Sequence, residues 1–298
     1  MLRPAPAMAA AKAAARALLE RLSRGRVLER RLPPELGGHT LLVSPDAAMK
    51  LWRRDLRQAD PPLLRMAREL VRPGATVWDV GANVGLFAVA AAYLAGPGGR
   101  VLAVEADDWL ASLLRRSART LPPDHARIEV LSVAAGGALG VADFVLASRG
   151  RAANHLASVP GSTQAGGARG VQKAMMVTLD WLLGWFPAPD LVKLDVEGAE
   201  LECLRGAGTL LGRHRPTLLC EIGAENAAPA GRLLAAAGYT LYDADQPPEA
   251  RQPRTMPAWN TLAVPDAAAV PTALSPSSPP PSPPPGRAGD AAATGRAR

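Results

Sequence analysis

An α/β domain built on a largely parallel sheet is the fold class this sequence predicts, and three observations predict it. Between residues 60 and 264, short apolar runs alternate with segments of helical periodicity. The run Val77-Trp78-Asp79-Val80 closes in a turn holding Gly81 and Gly85 and leads into the apolar Leu86-Phe87-Ala88. Three more apolar runs carry an acid at their carboxyl ends: Glu105, Asp195 and Glu221. Ligands on such sheets bind beyond the carboxyl ends of the strands, near the reversal of strand order.

The elements follow in order. Asp60 caps a first helix, Pro61-Pro62 open it, and Leu63, Leu64, Ala67, Leu70 and Val71 recur at helical spacing until Pro73-Gly74 stop it. Apolar patterning predicts strands over 76–80, 100–105, 128–134, 141–147, 191–196, 217–222, 239–243 and 261–264. Helices are expected over 84–94, 108–120, 179–185, 199–211 and 226–237, and 149–172 reads as a Gly-rich loop. Residues 1–60 form an arm, with an Ala-rich amphipathic basic helix over 8–22 and two short strands over 27–32 and 40–43. Residues 61–265 form the main domain. The tail, 266–298, is Pro-, Ala- and Ser-rich, too poor in large apolar groups to fold, and reads as disordered.

Of the 298 residues, 48% are hydrophobic, enough for a sizeable core. Two cysteines exclude a disulfide-stapled scaffold; both lie in apolar runs without metal spacing, which suits reduced thiols in a cytoplasmic protein. The uncharged stretch 80–99 contains Asn83, Pro97 and five glycines, so no transmembrane segment is expected there. Net charge is +7, but residues 1–35 hold eight Lys/Arg against three Glu, which leaves the middle of the chain nearly neutral. A nucleic-acid groove would place its basic stripe on the working domain.

The chemistry sits at the strand ends. Glycine lets backbone approach a ligand where a Cβ would clash, and Asp79 can accept hydrogen bonds from turn amides or a ligand ammonium. Glu105 follows Asp79 by 26 positions, and an acid about 20 residues beyond such a glycine turn takes ribose hydroxyls. In Leu191-Val-Lys-Leu-Asp195-Val-Glu197-Gly-Ala-Glu200, Asp195 and Glu197 are expected at the same mouth, while Glu200 reads as a first-turn acid favoured by the helix dipole. Jointly these features point to nucleoside binding.

The stretches VWDVGANVG, VLAVEADD, VTLDWLL, VKLDVEGAELECLRGA, LLCEIG and, near the end, WNTLAVP make the sequence resemble the FkbM family of S-adenosylmethionine-dependent methyltransferases. The likeness covers about residues 60 to 265. It implies a class I, Rossmann-like seven-stranded sheet of order 3-2-1-4-5-7-6 with one antiparallel strand and helices on both faces. It also implies S-adenosylmethionine as cofactor and methyl transfer to a hydroxyl or carboxyl oxygen of a small metabolite such as a sugar or polyketide. Carried over, Asp79, Gly81, Asn83 and Gly85 line the methionine half, Glu105 holds the ribose, and Asp195, Glu197 and Glu221 ring the place where methyl and acceptor meet. Where related enzymes carry an acid after the third strand this chain reads Ser132-Val-Ala-Ala-Gly-Gly137, which leaves adenine to the backbone.

Methyl transfer needs an aligned acceptor in a dry pocket and, for a hydroxyl, a general base. Asp195 is the first candidate and Glu197 the second; His155 in the glycine-rich loop is weaker, and no metal site is expected. Other readings are an RNA or other nucleic-acid methyltransferase using the basic arm, a nicotinamide oxidoreductase, for which the Gly-x-Gly-x-x-Gly turn is missing, and a catalytically inactive nucleoside-binding module.

Overall fold

The computed structural model describes residues 18–159 and 166–267. Most of the expected arm helix and nearly all of the tail lie outside these residues; residues 18–23 are helical. An antiparallel hairpin, β1 (Leu28–Arg31) and β2 (Thr40–Val43), comes next. Helix α1 (Pro61–Leu70) starts as its sequence dictates, with Asp60 accepting from the Leu63 N–H at 3.2 Å and prolines in the first turn.

A β-α alternation follows: β3 (Thr76–Val80), α2 (Leu86–Ala95), β4 (Arg100–Val104), α3 (Asp108–Ala118) and β5 (Arg127–Leu131). The chain then builds a small sheet from β6 (Ala134–Ala135), β7 (Gly140–Ala147), β8 (His155–Leu156) and β9 (Ala168–Val177). It returns through α4 (Leu179–Leu182), β10 (Leu191–Leu194), α5 (Glu200–Arg205), β11 (Thr217–Glu221), α6 (Ala224–Ala236), β12 (Tyr239–Asp243) and β13 (Asn260–Pro265).

The main sheet runs β12-β13-β11-β10-β3-β4-β5, and β13 is antiparallel to both its neighbours. Counted in chain order from the β5 edge, its strands run 3-2-1-4-5-7-6. Strands β3 and β10 are buried on both faces, which is why they read as near-continuous apolar runs. Alternate residues divide between two cores. Val77, Val101, Ala103, Leu191 and Leu219 pack with α1, α2, α3 and the segment 28–59. Trp78, Val80, Leu102, Val192 and Leu194 face the layer that holds α4, α5 and α6. Helix α2 is buried almost all round, which accounts for its lack of a polar face. Leu32, Leu36, Leu41 and Leu56 are fully buried in the first core, so the hairpin region is packed into the body.

Three expectations are corrected. The loop expected over 149–172 contains a short 3-10 turn, Arg151–Ala153, then β8 and the start of β9. Strand β9 is held by backbone pairing to β7 from Gly140↔Met176 to Ala147↔Ala168, while Val171 and Met175 stay exposed, so no apolar alternation marks it. The strand expected over 128–134 stops at Leu131, because Ala134 and Ala135 leave to pair with β9. The helix expected over 199–211 breaks after Arg205: Gly206 lies so close to the Gly136 carbonyl that a Cβ would sit 2.8 Å from it, and a π turn, Leu210–His214, follows.

Cys203 and Cys220 are buried and free, and burial pushes both thiols up. Among the described residues no helix is long and apolar enough to cross a membrane.

Candidate active site

Strand order reverses between β3 and β10, and the two loops leaving these strands meet. The Gly81 and Ala82 N–H groups both donate to the Val104 carbonyl, at 2.9 and 3.0 Å, which folds the turn back over β4. Gly81 has φ +79, and a Cβ there would lie 1.8 Å from the Asp195 carbonyl oxygen. Only glycine fits where the turn and the β10 loop touch. Asn83 and Glu197, one on each loop, hold φ 53, the left-handed region that side chains rarely adopt. Such outliers concentrate at functional sites.

Glu105 binds this corner together. Its Oε2 accepts from the Asn83 N–H at 2.7 Å and its Oε1 from the Asp107 N–H at 2.8 Å. An ionised carboxylate has about four acceptor positions, so each oxygen keeps capacity for another donor. Burial pushes the Glu105 carboxyl up to about 7, although these two N–H groups act the other way.

Lys193 braces the floor. It sits on β10 directly beside Asp79 of β3 in register. Its ammonium donates to the Gly81 carbonyl at 2.8 Å and faces Asp79 at 3.3 Å and Asp195 at 3.2 Å. Burial opposes its charge, yet Asp195 and Asp79 hold the ammonium above its ordinary value. Asp79 is fully buried, and burial pushes its carboxyl up against the pull of Lys193.

A cavity of about 290 Å³ opens above this floor. Of the residues singled out from sequence, Gly81, Asn83, Glu105, Asp195, Glu197 and Glu221 line it. Asp79 and Gly85 do not. Asp79 lies beneath, as counter-ion to Lys193, and the Cβ that Gly85 lacks would meet Leu114 at 2.1 Å, so that glycine serves the packing of α2 against α3. Val133, Ala134 and Ala135 line the cavity where sequence left the adenine end to backbone. Glu200 is neither a wall residue nor only a dipole partner: its carboxylate accepts from the Val196 and Gly198 N–H groups and shapes the loop that carries Glu197.

Burial, then the Asp195 charge, pushes Glu197 up to about 8 and Glu221 up to about 7. Neither carboxyl group takes part in a hydrogen bond or salt bridge with another described residue. The mouth therefore collects negative charge that the molecule only partly neutralises, an arrangement suited to a cationic ligand. No group of His, Cys, Asp and Glu among the described residues is arranged to hold a metal ion.

The roof comes from the arm, 1–60, and the insertion, 148–176, where the sequence leaves the acceptor pocket without singling out Arg151, Lys50 or Leu51. Arg151 and Asn154 line the cavity from the insertion, and Lys50 and Leu51 from the segment before α1. The Arg151 guanidinium bonds Asp46 at 3.0 Å, pairs with Asp107, and lies 4.7 Å over the Trp109 ring. Asn154 donates to Asp107 at 2.8 Å, and Arg169 holds Asp46 through two bonds of 2.9 and 3.1 Å. Burial works against the Asp46 charge, but the two arginines hold its carboxyl below the usual range. His155 does not line the cavity; its Nδ1 lies 3.0 Å from the Ala153 carbonyl. These partners stand up to 123 residues apart, so no local motif announces them.

The family model of the methyltransferase FkbM domain matches residues 79–241. The chain belongs to the FkbM family. Its members are S-adenosylmethionine-dependent methyltransferases. A search of curated proteins finds no match to this FkbM chain. Among solved structures it is similar to precorrin-6y C5,15-methyltransferase from Geobacter metallireducens, with 12% identity and TM-score 0.38 over 67% of this chain and 84% of that one. It is similar to methyltransferase FkbM from Methylobacillus flagellatus, with 18% identity and TM-score 0.39 over 70% of this chain and 51% of that one. The chain thus spans about half the length of the Methylobacillus protein. A third is a SAM-dependent O-methyltransferase from Thermotoga maritima, with 13% identity and TM-score 0.37 over 68% and 62% of the two chains.

Proposed function

We propose that this FkbM protein transfers a methyl group from S-adenosylmethionine to an oxygen of a small metabolite. The observation that carries the reading is the carboxylate-rimmed cavity at the switch point, where Glu105 stands on one side and Asp195, Glu197 and Glu221 stand on the other. The cofactor fits these residues. Glu105 has spare acceptor capacity for vicinal ribose hydroxyls, the Gly81-Ala82-Asn83 turn lines the cavity beside it, and the incompletely neutralised acids suit a sulfonium cation. When bound, S-adenosylmethionine supplies a methyl group on positively charged sulfur, and transfer breaks the carbon–sulfur bond with the electron pair remaining on sulfur.

The protein's own contribution is to exclude water, align the acceptor and take its proton. The Arg151–Asp46–Asp107 network holds the roof, which favours a dry pocket. Positioning of two reactants can contribute up to about 7–11 kcal/mol. Glu221 is the base this geometry favours over the sequence-based first candidate, Asp195, because Asp195 is already paired with Lys193. A base whose pKa lies near the working pH is the efficient one, and Glu221 stands at about 7. Asp195 and Glu197 complete the ring of negative charge around the transfer position.

Calorimetric titration of the full chain with S-adenosylmethionine tests the reading; absence of binding would overturn it. Glu105→Gln is expected to weaken that binding by about 10- to 100-fold, the value of one or two hydrogen bonds to a charged group. The substituted amide would also turn an N–H toward an N–H of Asn83 or Asp107.

Binding should depend on pH in a defined direction. Glu105, Glu221 and Glu197, at about 7, 7 and 8, are partly protonated near neutrality. A cationic ligand favours their ionised forms and releases protons as it binds. Affinity is therefore expected to rise from pH 6 toward pH 9, by up to about a factor of ten per pH unit for each proton released. Titrations in buffers of different ionisation enthalpy count those protons; a pH-independent affinity would contradict the role given to the three acids.

A further inference from the structure

Residues 18–31 do not line the active-site cavity, so their charge and their uncovered apolar side chains call for another account. Residues 18–23 form a short helix that runs out at Gly25, φ +67, and leads into β1. Its end is fixed to the body. Ser23 is buried, with its hydroxyl donating to the Glu20 carbonyl at 2.7 Å, and Leu28 packs against the first core. The large apolar side chains around that point are not covered: Leu18, Leu19 and Leu22 are 58%, 48% and 49% exposed, and Val27 is 38% exposed. Leu18 and Leu22 are four residues apart and share one face of the helix.

Arginines surround these leucines. Arg21, Arg24 and Arg26 are exposed on the same stretch, and the Arg26 Nε donates to the Leu22 carbonyl at 2.7 Å. Arg30 reaches out from β1 to the Arg53 and Trp52 carbonyls, at 2.7 and 3.1 Å, which sets the exposed Arg53 and Arg54 beside that strand. None of Arg21, Arg24, Arg26, Arg53 and Arg54 forms a salt bridge with another described residue. Residues 20–31 and 53–55 together hold seven arginines against three acids, Glu20, Glu29 and Asp55, while the middle of the chain is nearly neutral.

We infer that this face docks on an anionic lipid surface, with the leucines in the acyl boundary and the arginines at the phosphate groups. Charge and the uncovered leucines together decide the occupant. A nucleic acid would take the arginines but offer the leucines nothing. A second copy related by a two-fold axis would set arginine against arginine. An anionic bilayer takes both, because apolar side chains enter the headgroup–acyl boundary while guanidinium groups snorkel to the phosphates above them. The face also adjoins the cleft through one short segment: Lys50 and Leu51 line the cavity, and Arg53 and Arg54 follow them on the surface. Docking does not depend on the methyl-transfer reading and does not fall with it.

Flotation of the full chain with vesicles tests the inference. Vesicles of phosphatidylcholine with about 30% phosphatidylserine should carry the protein, and vesicles of phosphatidylcholine alone should carry about tenfold less. Binding should weaken severalfold as salt rises from about 0.05 to about 0.3 M. Leu18→Ser, Leu19→Ser and Leu22→Ser combined are expected to lower binding by about tenfold or more, and so are Arg21→Glu, Arg24→Glu and Arg26→Glu combined. Arg54→Glu, on the separate segment, should lower it severalfold. All these positions are exposed, so the thermal midpoint of each variant should match the wild type. No binding to the phosphatidylserine vesicles, equal binding to neutral ones, or wild-type binding by any of the three variants would overturn the inference. Retention of a labelled RNA oligonucleotide by the wild type and the leucine variant alike, with no vesicle bound, would overturn it in favour of a nucleic-acid face.

Discussion

Glu221→Gln is expected to lower kcat by about 10²–10⁴-fold, the usual contribution of a general base, with a much smaller loss of cofactor affinity from the missing negative charge. Glutamine keeps the shape and one acceptor oxygen but cannot take a proton. The Glu221 carboxyl group makes no hydrogen bond or salt bridge with another described residue, so its replacement leaves no partner stranded and the fold should be unaffected. A pH profile separates loss of a base from mere misplacement. In the wild type, kcat should rise with pH as Glu221 ionises, from about 7 in the free protein and lower once a cation is bound. In the variant that limb should vanish. Steady-state kinetics alongside calorimetry checks both; a kcat within a few-fold of wild type would pass the base to Glu197 or Asp195.

Lys193→Met should destabilise the fold by about 3–5 kcal/mol, the cost of removing one partner from a buried ion pair. Methionine fills similar space without charge. It leaves Asp79 fully buried without a counter-ion and the Gly81 carbonyl without its 2.8 Å donor. Asp79 would respond by holding its proton to higher pH than in the unfolded chain, where an aspartate titrates near about 3.9. Over that interval the folded variant binds a proton that the unfolded chain has lost, so its stability falls as pH rises. The gap in urea midpoint between wild type and variant should therefore widen from pH 5 to pH 8. Asp79→Asn combined with Lys193→Met should recover much of the loss, because no uncompensated charge remains. An equal gap at both pH values, or no rescue, would mean that Lys193 does not neutralise Asp79.

The central strands could be read from sequence because burial on both faces leaves an unbroken apolar run, and their acids stand out against it. Asp195 and Glu221 belong to that set, and Glu105 announces itself through its distance from the glycine turn. Asp79 looked equally strong, but whether an acid at a strand end points up into a cleft or down onto a lysine depends on the neighbouring strand. Lys193 is a single polar residue in Leu-Val-Lys-Leu, and only the β3–β10 register explains it. Arg151 was silent for a related reason: its partners, Asp46 and Asp107, are 105 and 44 residues away. Strand β9 was hidden because it is stabilised by backbone pairing on an exposed sheet rather than by an apolar face, and Gly170 with the glycines just before the strand reads as loop.

The placing of β13 bears on how this protein is cut for expression. The span recognisable as the family domain ends at residue 241, inside β12, yet β12 meets the sheet only through β13, residues 260–265. A recombinant fragment trimmed to 79–241 would lose that connector, strand half of β12 as a loose end, and bare the β11 edge to other chains. At its other terminus it would discard α1 and Lys50, and with them the Leu63 and Lys50 walls of the cavity. The smallest piece worth cloning reaches from the β1–β2 hairpin to the end of β13, 75 residues beyond what family likeness alone would mark out.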